Sequence, residues 1–363
     1  MKLKLRSSVS VIDRKDDVIE FFKTNTREQV IIKSFHPILK TLLSEMNGEI
    51  TLNDFVKKYD ISEQYNALQT FINFLISKGI LSDILPESMN NYSKFRRVIH
   101  FLEDYSTSAD HLAEMWNKIQ NRKVVIIGLG AVGTWTAINL VQNGVKDLVL
   151  IDDDIIEISN LHRQMGYEEQ DIGEFKTDAL KRQLLRMNKE CNITCIYEPL
   201  DNNLLEKHRM NNSNLIINCA DKPTVDQTSL LVGEYCMRYK IPHIVGGGYN
   251  LHLSLIGQTI IPFKSACVKC FEKQLQIINA IDPKSVKKLT IKNRKLGSFG
   301  PACSIIASFI GMEAIKVLSE CTMPANLNRR GEFNIYNMDI EYRNFERLKD
   351  CEWCGKDGEY YAK

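Results

Sequence analysis

The sequence predicts an α/β protein with a mainly parallel sheet, preceded by a small α+β domain. Three observations carry this. Val124-Val125-Ile126-Ile127 is a short apolar run of the kind buried in a parallel sheet, and Gly128, Gly130 and Gly133 follow it at once. Apolar strands then alternate with helical stretches down to about residue 245. Before residue 84, short strands lead instead into three consecutive helices.

With 363 residues the chain has room for two or three domains. Its 47 basic and 45 acidic residues leave a formal charge of +2, no global reason to expect a nucleic-acid partner. Met1 to Arg6 lacks the apolar centre and cleavage site of a signal peptide, and no uninterrupted apolar run is expected to span a membrane. None of the 10 cysteines falls in the first 190 residues, and four form two CxxC pairs, which suits a metal in a reducing cytoplasm better than a disulfide framework.

Residues 1–83 are expected to form the first domain. Val18-Ile19 with Phe21-Phe22, and Val30-Ile31-Ile32, read as two short strands. Helices follow over Pro37–Met46, Thr51–Tyr59 and Ser62–Lys78, with Thr51 and Ser62 as N-caps. Leu68, Phe71, Phe74 and Leu75 make an apolar stripe that ends at Gly79. The pattern describes a winged helix. Its third helix has one basic residue, at the far end, too few for the phosphate contacts DNA requires. A peptide adding a strand beside Glu28–Ser34 is the favoured partner, and a packing module without ligand is the alternative.

Residues 84–120 are expected to contain a polar linker, Pro86–Ser93, then helices over Phe95–Tyr105 and Ala109–Gln120. The large domain is 121–363. After the glycine turn come a helix over Thr134–Gln142 and a strand, Leu148–Ile151, ending at Asp152. A helix over Thr177–Met187 follows, with strands at Ile193–Tyr197, Leu215–Ile217 and Pro242–Val245 and a helix over Asp226–Tyr239.

GxGxxG between a strand and a helix presents free N–H groups to phosphate, and an acid ending the second strand can take ribose hydroxyls. Alone, these features would favour a dinucleotide-dependent oxidoreductase. Arg163 and Lys176, just beyond the ribose strand, point to an enzyme that does chemistry on phosphate.

Glu157-Ile158-Ser159-Asn160-Leu161-His162-Arg163-Gln164, the lysine of Gly173-Glu174-Phe175-Lys176, and Asn218-Cys219-Ala220-Asp221 together resemble the E1-like (ThiF/MoeB/HesA-type) adenylating superfamily over roughly residues 94–354. The resemblance implies a Rossmann-like domain that uses ATP and Mg²⁺. It places Asp152 on the ribose, the Gly128 loop with Asn160, Arg163 and Gln164 on the phosphates, and Lys176 at the reacting phosphates. Asp221 would hold Mg²⁺. Lys94-Phe95-Arg96-Arg97-Val98 resembles a segment whose second arginine reaches the partner's ATP, which implies a homodimer with Arg97, or Arg96, in that role. Ala131 stands where the family usually has a second consecutive glycine.

Cys267, Cys270, Cys351 and Cys354 supply four soft ligands as two compact hooks, the economical way to build a closed structural Zn²⁺ site; a redox pair or an iron–sulfur cluster is the alternative. The region from Ile277 to Gly300, where ubiquitin-type relatives carry a transfer cysteine, has none and is rich in lysine: Lys284, Lys287, Lys288, Lys292 and Lys295, with Arg294. Cys303 reads as core in preference to nucleophile.

The first domain resembles the leader-peptide recognition element (RRE/PqqD-like) of peptide-maturing enzymes. With the large domain, it resembles the enzymes of the microcin C7 and pantocin pathways. The implied activity is ATP-dependent activation of a carboxylate in a ribosomally made precursor peptide, followed by bond formation within the peptide. Adenylation of the C-terminal glycine of a ubiquitin-like sulfur carrier, or a non-catalytic peptide scaffold, are the alternatives.

Overall fold

The computed structural model describes residues 2–33, 36–83, 89, 93–247, 252–279 and 297–361. They fall into two compact units, Met1–Asn117 and Lys118–Lys363.

The first unit begins with β1 (Lys2–Leu5), β2 (Val9–Arg14), β3 (Val18–Lys23) and β4 (Gln29–Lys33). Then come α1 (Ile38–Glu45), β5 (Asn47–Thr51), α2 (Leu52–Lys58), α3 (Tyr65–Ser77) and β6 (Leu81–Asp83). One antiparallel sheet has the order β2-β3-β4, a second β5-β1-β6. Four strands lie beyond the two that the sequence predicts: β1 is only four residues long, β5 and β6 carry one large apolar residue each, and β2 runs from Val9, Val11 and Ile12 into the charged Asp13 and Arg14. Phe21, Ile19, Leu42, Phe55, Leu68, Ile72 and Leu75 form the core.

Thr51 caps α2 as expected, its hydroxyl accepting from Asp54 N–H in a full capping box. Ser62 does not cap α3. Ser62–Gln64 wind as a tighter 3₁₀ turn, and α3 starts at Tyr65 without a side-chain cap. The buried face of α3 is Leu68, Ile72 and Leu75, whereas Phe74 is exposed. Strand β4 pairs with β3 alone and buries Val30 and Ile32 against the core, so its other edge is open among the described residues. Helix α4 (Arg96–Glu103) belongs to this unit, and α5 (Ala109–Asn121) runs through its end. Residues 93–117 thus cluster with the first unit.

The second unit opens with β7 (Lys123–Ile127), α6 (Ala131–Gln142), β8 (Asp147–Ile151), α7 (Lys176–Met187) and β9 (Asn192–Ile196). It continues with α8 (Leu204–Lys207), β10 (Leu215–Asn218), α9 (Val225–Tyr239), β11 (His243–Val245), β12 (Leu253–Leu255) and β13 (Gln258–Ile260). Last come α10 (Val268–Ile278), α11 (Gly300–Ser319), β14 (Arg329–Asn334) and β15 (Asp339–Asn344). The main sheet runs β13-β11-β10-β7-β8-β9 and is parallel except for β13. Strand β7 is its origin: the chain builds outward through β8 and β9 on one side, then returns to lay β10 and β11 on the other. That reversal opens a crevice at the carboxyl ends of β7 and β10, where α/β sheets bind ligands. A second sheet has the order β12-β14-β15.

Among the described residues one helix, α11, is long and apolar enough by length and composition to cross a membrane, but Glu313 and Lys316 interrupt its apolar run and 61% of its apolar window is buried inside the protein. It packs along α6 and carries Glu313, whose carboxylate accepts from Thr259 Oγ1 and from the N–H groups of Ala325 and Asn326.

His243 opens β11, between β10 and the edge strand β13, 1% exposed and opposite Ile216 and Ile260. Burial pushes its imidazole down to about 4, opposed by its hydrogen bond to Ile241 O. As pH falls from about 6.5 towards 4 the unfolded chain takes up this proton and the folded chain does not, so stability is lost across that window. The loss reaches about 3 kcal/mol for this one group. Chemical denaturation between pH 7 and 4 should show a steeper decline in the wild type than in His243→Leu, and equal slopes would refute the assignment.

Candidate active site and metal centre

Three adjacent strand ends set the site. Gly128 follows β7, Asp152 follows β8, and Cys219 to Asp221 follow β10. Gly128 has φ +86°, and a Cβ there would lie 2.6 Å from Ala220 N. Only glycine fits this turn. Helix α6 begins at Ala131, so Gly133 lies inside it, where a Cβ would stand 1.9 Å from Gly128 O. A Cβ on Gly130 would meet nothing within 4 Å. Protein packing therefore does not require that glycine, and the open space beside it leaves the backbone free for close approach. Gly130 is also the N-cap of α6, with no side chain bonded to the helix's first N–H groups, which suits an anion.

Asp152 and Tyr167 clamp the loop. Asp152 Oδ2 accepts from Leu129 N–H, and the Tyr167 hydroxyl donates to Leu129 O at 2.9 Å. Burial, with Asp152, Asp154 and Asp171 nearby, raises the Tyr167 phenol well above its ordinary value and keeps it a donor. Burial also raises Asp152, against the pull of Lys176.

Lys176, the first residue of α7, is buried, and its Nζ lies 2.7 Å from Asp154 Oδ2 and 4.0 Å from Asp152 Oδ1. Lys222 reaches Asp154 Oδ1 at 2.8 Å. Burial raises the Asp154 carboxyl, but the two lysines outweigh it and leave it below the usual range. Asp154 is thus the bridge between the ends of β8 and β10. Asp221 precedes Lys222 and is exposed. Tyr167 and Lys222 carry no motif signal, and only the fold reveals them.

Asn160, Arg163 and Gln164 occupy one turn. Asn160 Oδ1 accepts from Glu157 N–H at 3.0 Å, so the side chain caps locally and has its NH₂ to offer a phosphate. Gln164 is 4% exposed and its Oε1 is buried without a hydrogen-bond partner, which excludes a solvated-face role. Arg163 bonds to Ser159 O, while its Nε is buried without a partner. The start of α11 abuts this turn: a Cβ on Gly300 would lie 3.1 Å from His162 O. Arg96 and Arg97 are exposed on α4 of the first unit. The basic stretch with Lys284, Lys287, Lys288, Lys292, Arg294 and Lys295 lies outside the described residues. Cys303 is fully buried, and burial raises its thiol, consistent with core packing.

Cys267, Cys270, Cys351 and Cys354 meet although 84 residues separate the two pairs. All four are buried and their sulfurs lie within 4.8 Å of one another. The spacings are 3.5 Å for Cys267–Cys351, 3.4 Å for Cys270–Cys354 and 3.8 Å for Cys267–Cys270. A tetrahedral ion with bonds of about 2.3 Å sets its sulfurs about 3.8 Å apart, so the donor set fits Zn²⁺. Leu348 N–H donates to Cys270 Sγ at 3.4 Å, which orients that sulfur and spreads its negative charge as a thiolate.

The model of the ThiF family matches residues 107–354, a stretch that contains the glycine loop, the lysine cluster and all four sulfurs. The chain belongs to the ThiF family. It is an ATP-dependent enzyme of the E1-like adenylating class. Among curated family members, it is 27% identical to the sulfur carrier protein ThiS adenylyltransferase of Escherichia coli K12, over 66% of this chain and 88% of that one. It is 26% identical to the molybdopterin-synthase adenylyltransferase of Salmonella typhimurium, over 66% and 89%. Solved structures extend the likeness in fold along nearly the whole chain. E. coli MccB with ATP superposes with a TM-score of 0.74 at 23% identity, covering 98% of this chain and 100% of that one. PaaA does so with a TM-score of 0.74 at 21% identity, covering 94% and 99%.

Proposed function

We propose that this chain adenylates a carboxylate of a ribosomally made precursor peptide that it holds through its first unit, and that the acyl adenylate then closes a bond within the peptide. One observation carries the reading: MccB, solved with its peptide MccA, shares the fold over 98% of the chain, first unit included, whereas the sulfur-carrier enzymes align with two-thirds of it. The open edge of β4 is where an extended leader could add a strand, with main-chain hydrogen bonds giving affinity.

In the assignment supported by the geometry, Asp152 takes the ribose hydroxyls, and the Gly128 loop takes phosphates on the N–H groups of α6. Asn160, Arg163 and Gln164 line the phosphate path. Lys176 neutralises charge at the reacting phosphates. A carboxylate oxygen attacks the α-phosphorus, the bond to the β-phosphate oxygen breaks, and its electron pair leaves with pyrophosphate. No general base is needed, because the carboxylate is already ionised; positioning and charge stabilisation carry the rate. A peptide nucleophile then displaces AMP. The exposed carboxylate of Asp221 is a hard donor suited to Mg²⁺, which would supply charge neutralisation. We assign Zn²⁺ to the four cysteines as a structural ion, Arg97 to a homodimer contact with the partner's nucleotide, and the reducing cytoplasm as the setting.

Mass analysis of peptides encoded by short reading frames beside the gene, incubated with the protein and ATP, tests the proposal. Loss of one water reports bond closure within the peptide. Addition of a nucleotide reports a microcin-like product and would overturn the closure step. No mass change in any peptide, alongside activation of a ubiquitin-like carrier, would overturn the substrate class.

A further inference from the structure

Asp154 is gripped from two sides by unlike lysines. The Lys176 side chain is 7% exposed and tied down by packing, whereas that of Lys222 is 75% exposed. An ion pair on so exposed a lysine holds little free energy, because water competes for both partners and the long stem loses freedom. Lys222 can therefore exchange Asp154 for another anion at small cost. The surroundings say which anion. Asp152, Asp153, Asp154 and Asp221 set four carboxylates on these strand ends beside the ammonium groups of Lys176 and Lys222, so the strand ends are net negative before a nucleotide arrives. A triphosphate entering beside them needs cations that can turn towards it.

We propose that Lys222 is a second phosphate-binding cation of this site, released from Asp154 to pair with the β- or γ-phosphate when a nucleoside triphosphate occupies the Gly128 loop. As the bond between the α-phosphorus and the β-phosphate oxygen breaks, Lys222 balances the charge gathering on pyrophosphate. Asp154 holds it in reserve beside the loop when no nucleotide is bound. The inference rests on the adenylating reading of the pocket and is independent of which peptide supplies the carboxylate.

Calorimetric titration of the full chain tests it with two probes: the α,β-methylene analogue of ATP, which cannot release pyrophosphate, and AMP, which lacks the phosphates in question. Lys222→Ala should bind the analogue about tenfold more weakly, hold AMP to within about twofold, and recover most of the loss in Lys222→Arg. Equal binding of the analogue by Lys222→Ala and wild type would overturn the proposal. So would an equal loss for both probes with a lowered melting temperature, which would make Lys222 a strut for Asp154. A wild-type chain that binds neither probe would instead remove the adenylating reading itself.

Discussion

Replacing Lys176 with alanine is expected to slow adenylate formation by about 10²–10³-fold, the usual cost of removing one preorganised charge at a transition state. Two features of the structure make the effect large. The ammonium is buried at the start of α7 and fixed on Asp154, so bulk water neither screens it nor replaces it readily. It is also the leading favourable charge opposing the burial that raises Asp152. Without it, Asp152 should take up a proton at a higher pH. The acid limb of nucleotide binding should then move upward in Lys176→Ala, and methionine at this position should behave the same way, since it keeps the volume but not the charge. Arginine should not rescue fully, because its planar fork does not fit a buried single-contact site. Pyrophosphate release followed across pH checks both parts. A variant with near-normal rate and an unmoved acid limb would show that Lys176 is only a structural ion-pair partner.

The second large effect concerns the four sulfurs. Metal analysis should find one zinc per chain, falling to none on removal by a strong chelator or in Cys351→Ser. Zinc binding by four thiolates is worth about 10–16 kcal/mol in small domains, comparable with the whole stability of a typical domain. Loss of the ion should therefore lower the melting temperature by at least about 10 °C and expose the four thiols to a thiol reagent. The segment from Phe345 to Tyr360 should loosen first, because Phe345, Trp353 and Tyr360 share a core with the cysteines. Iron and absorbance in the visible range would assign a cluster, and a chain whose stability ignores chelation would remove the structural role.

What the sequence disclosed follows from how locally each feature is encoded. The glycine loop, Asp152 and Lys176 stand at fixed distances from strand and helix ends, so spacing alone locates them. The paired cysteines are legible because each hook is compact. Lys222 is different: its partner Asp154 lies 68 residues away, and only the parallel order of β10, β7 and β8 brings them together. Tyr167 grips a carbonyl 38 residues earlier, and nothing near it in sequence marks the contact. Asn160 shows the converse. Its motif suggests a phosphate ligand, but the structure also uses it to cap its own turn. In the first unit, β5 and β6 are not legible because one large apolar residue each leaves no periodicity, and Gly48 in β5 even has φ +90°; β1 alternates as a strand does but over four residues only.

Exchange of labelled pyrophosphate into ATP measures reversible adenylate formation most directly. The account predicts exchange by the wild-type chain only when a precursor peptide with a free carboxylate is present, lowered by about 10²–10³-fold in Lys176→Ala and strongly in Asp221→Ala. Exchange driven by a ubiquitin-like carrier ending in Gly-Gly and by no peptide, or exchange at the wild-type rate in both variants, would contradict it.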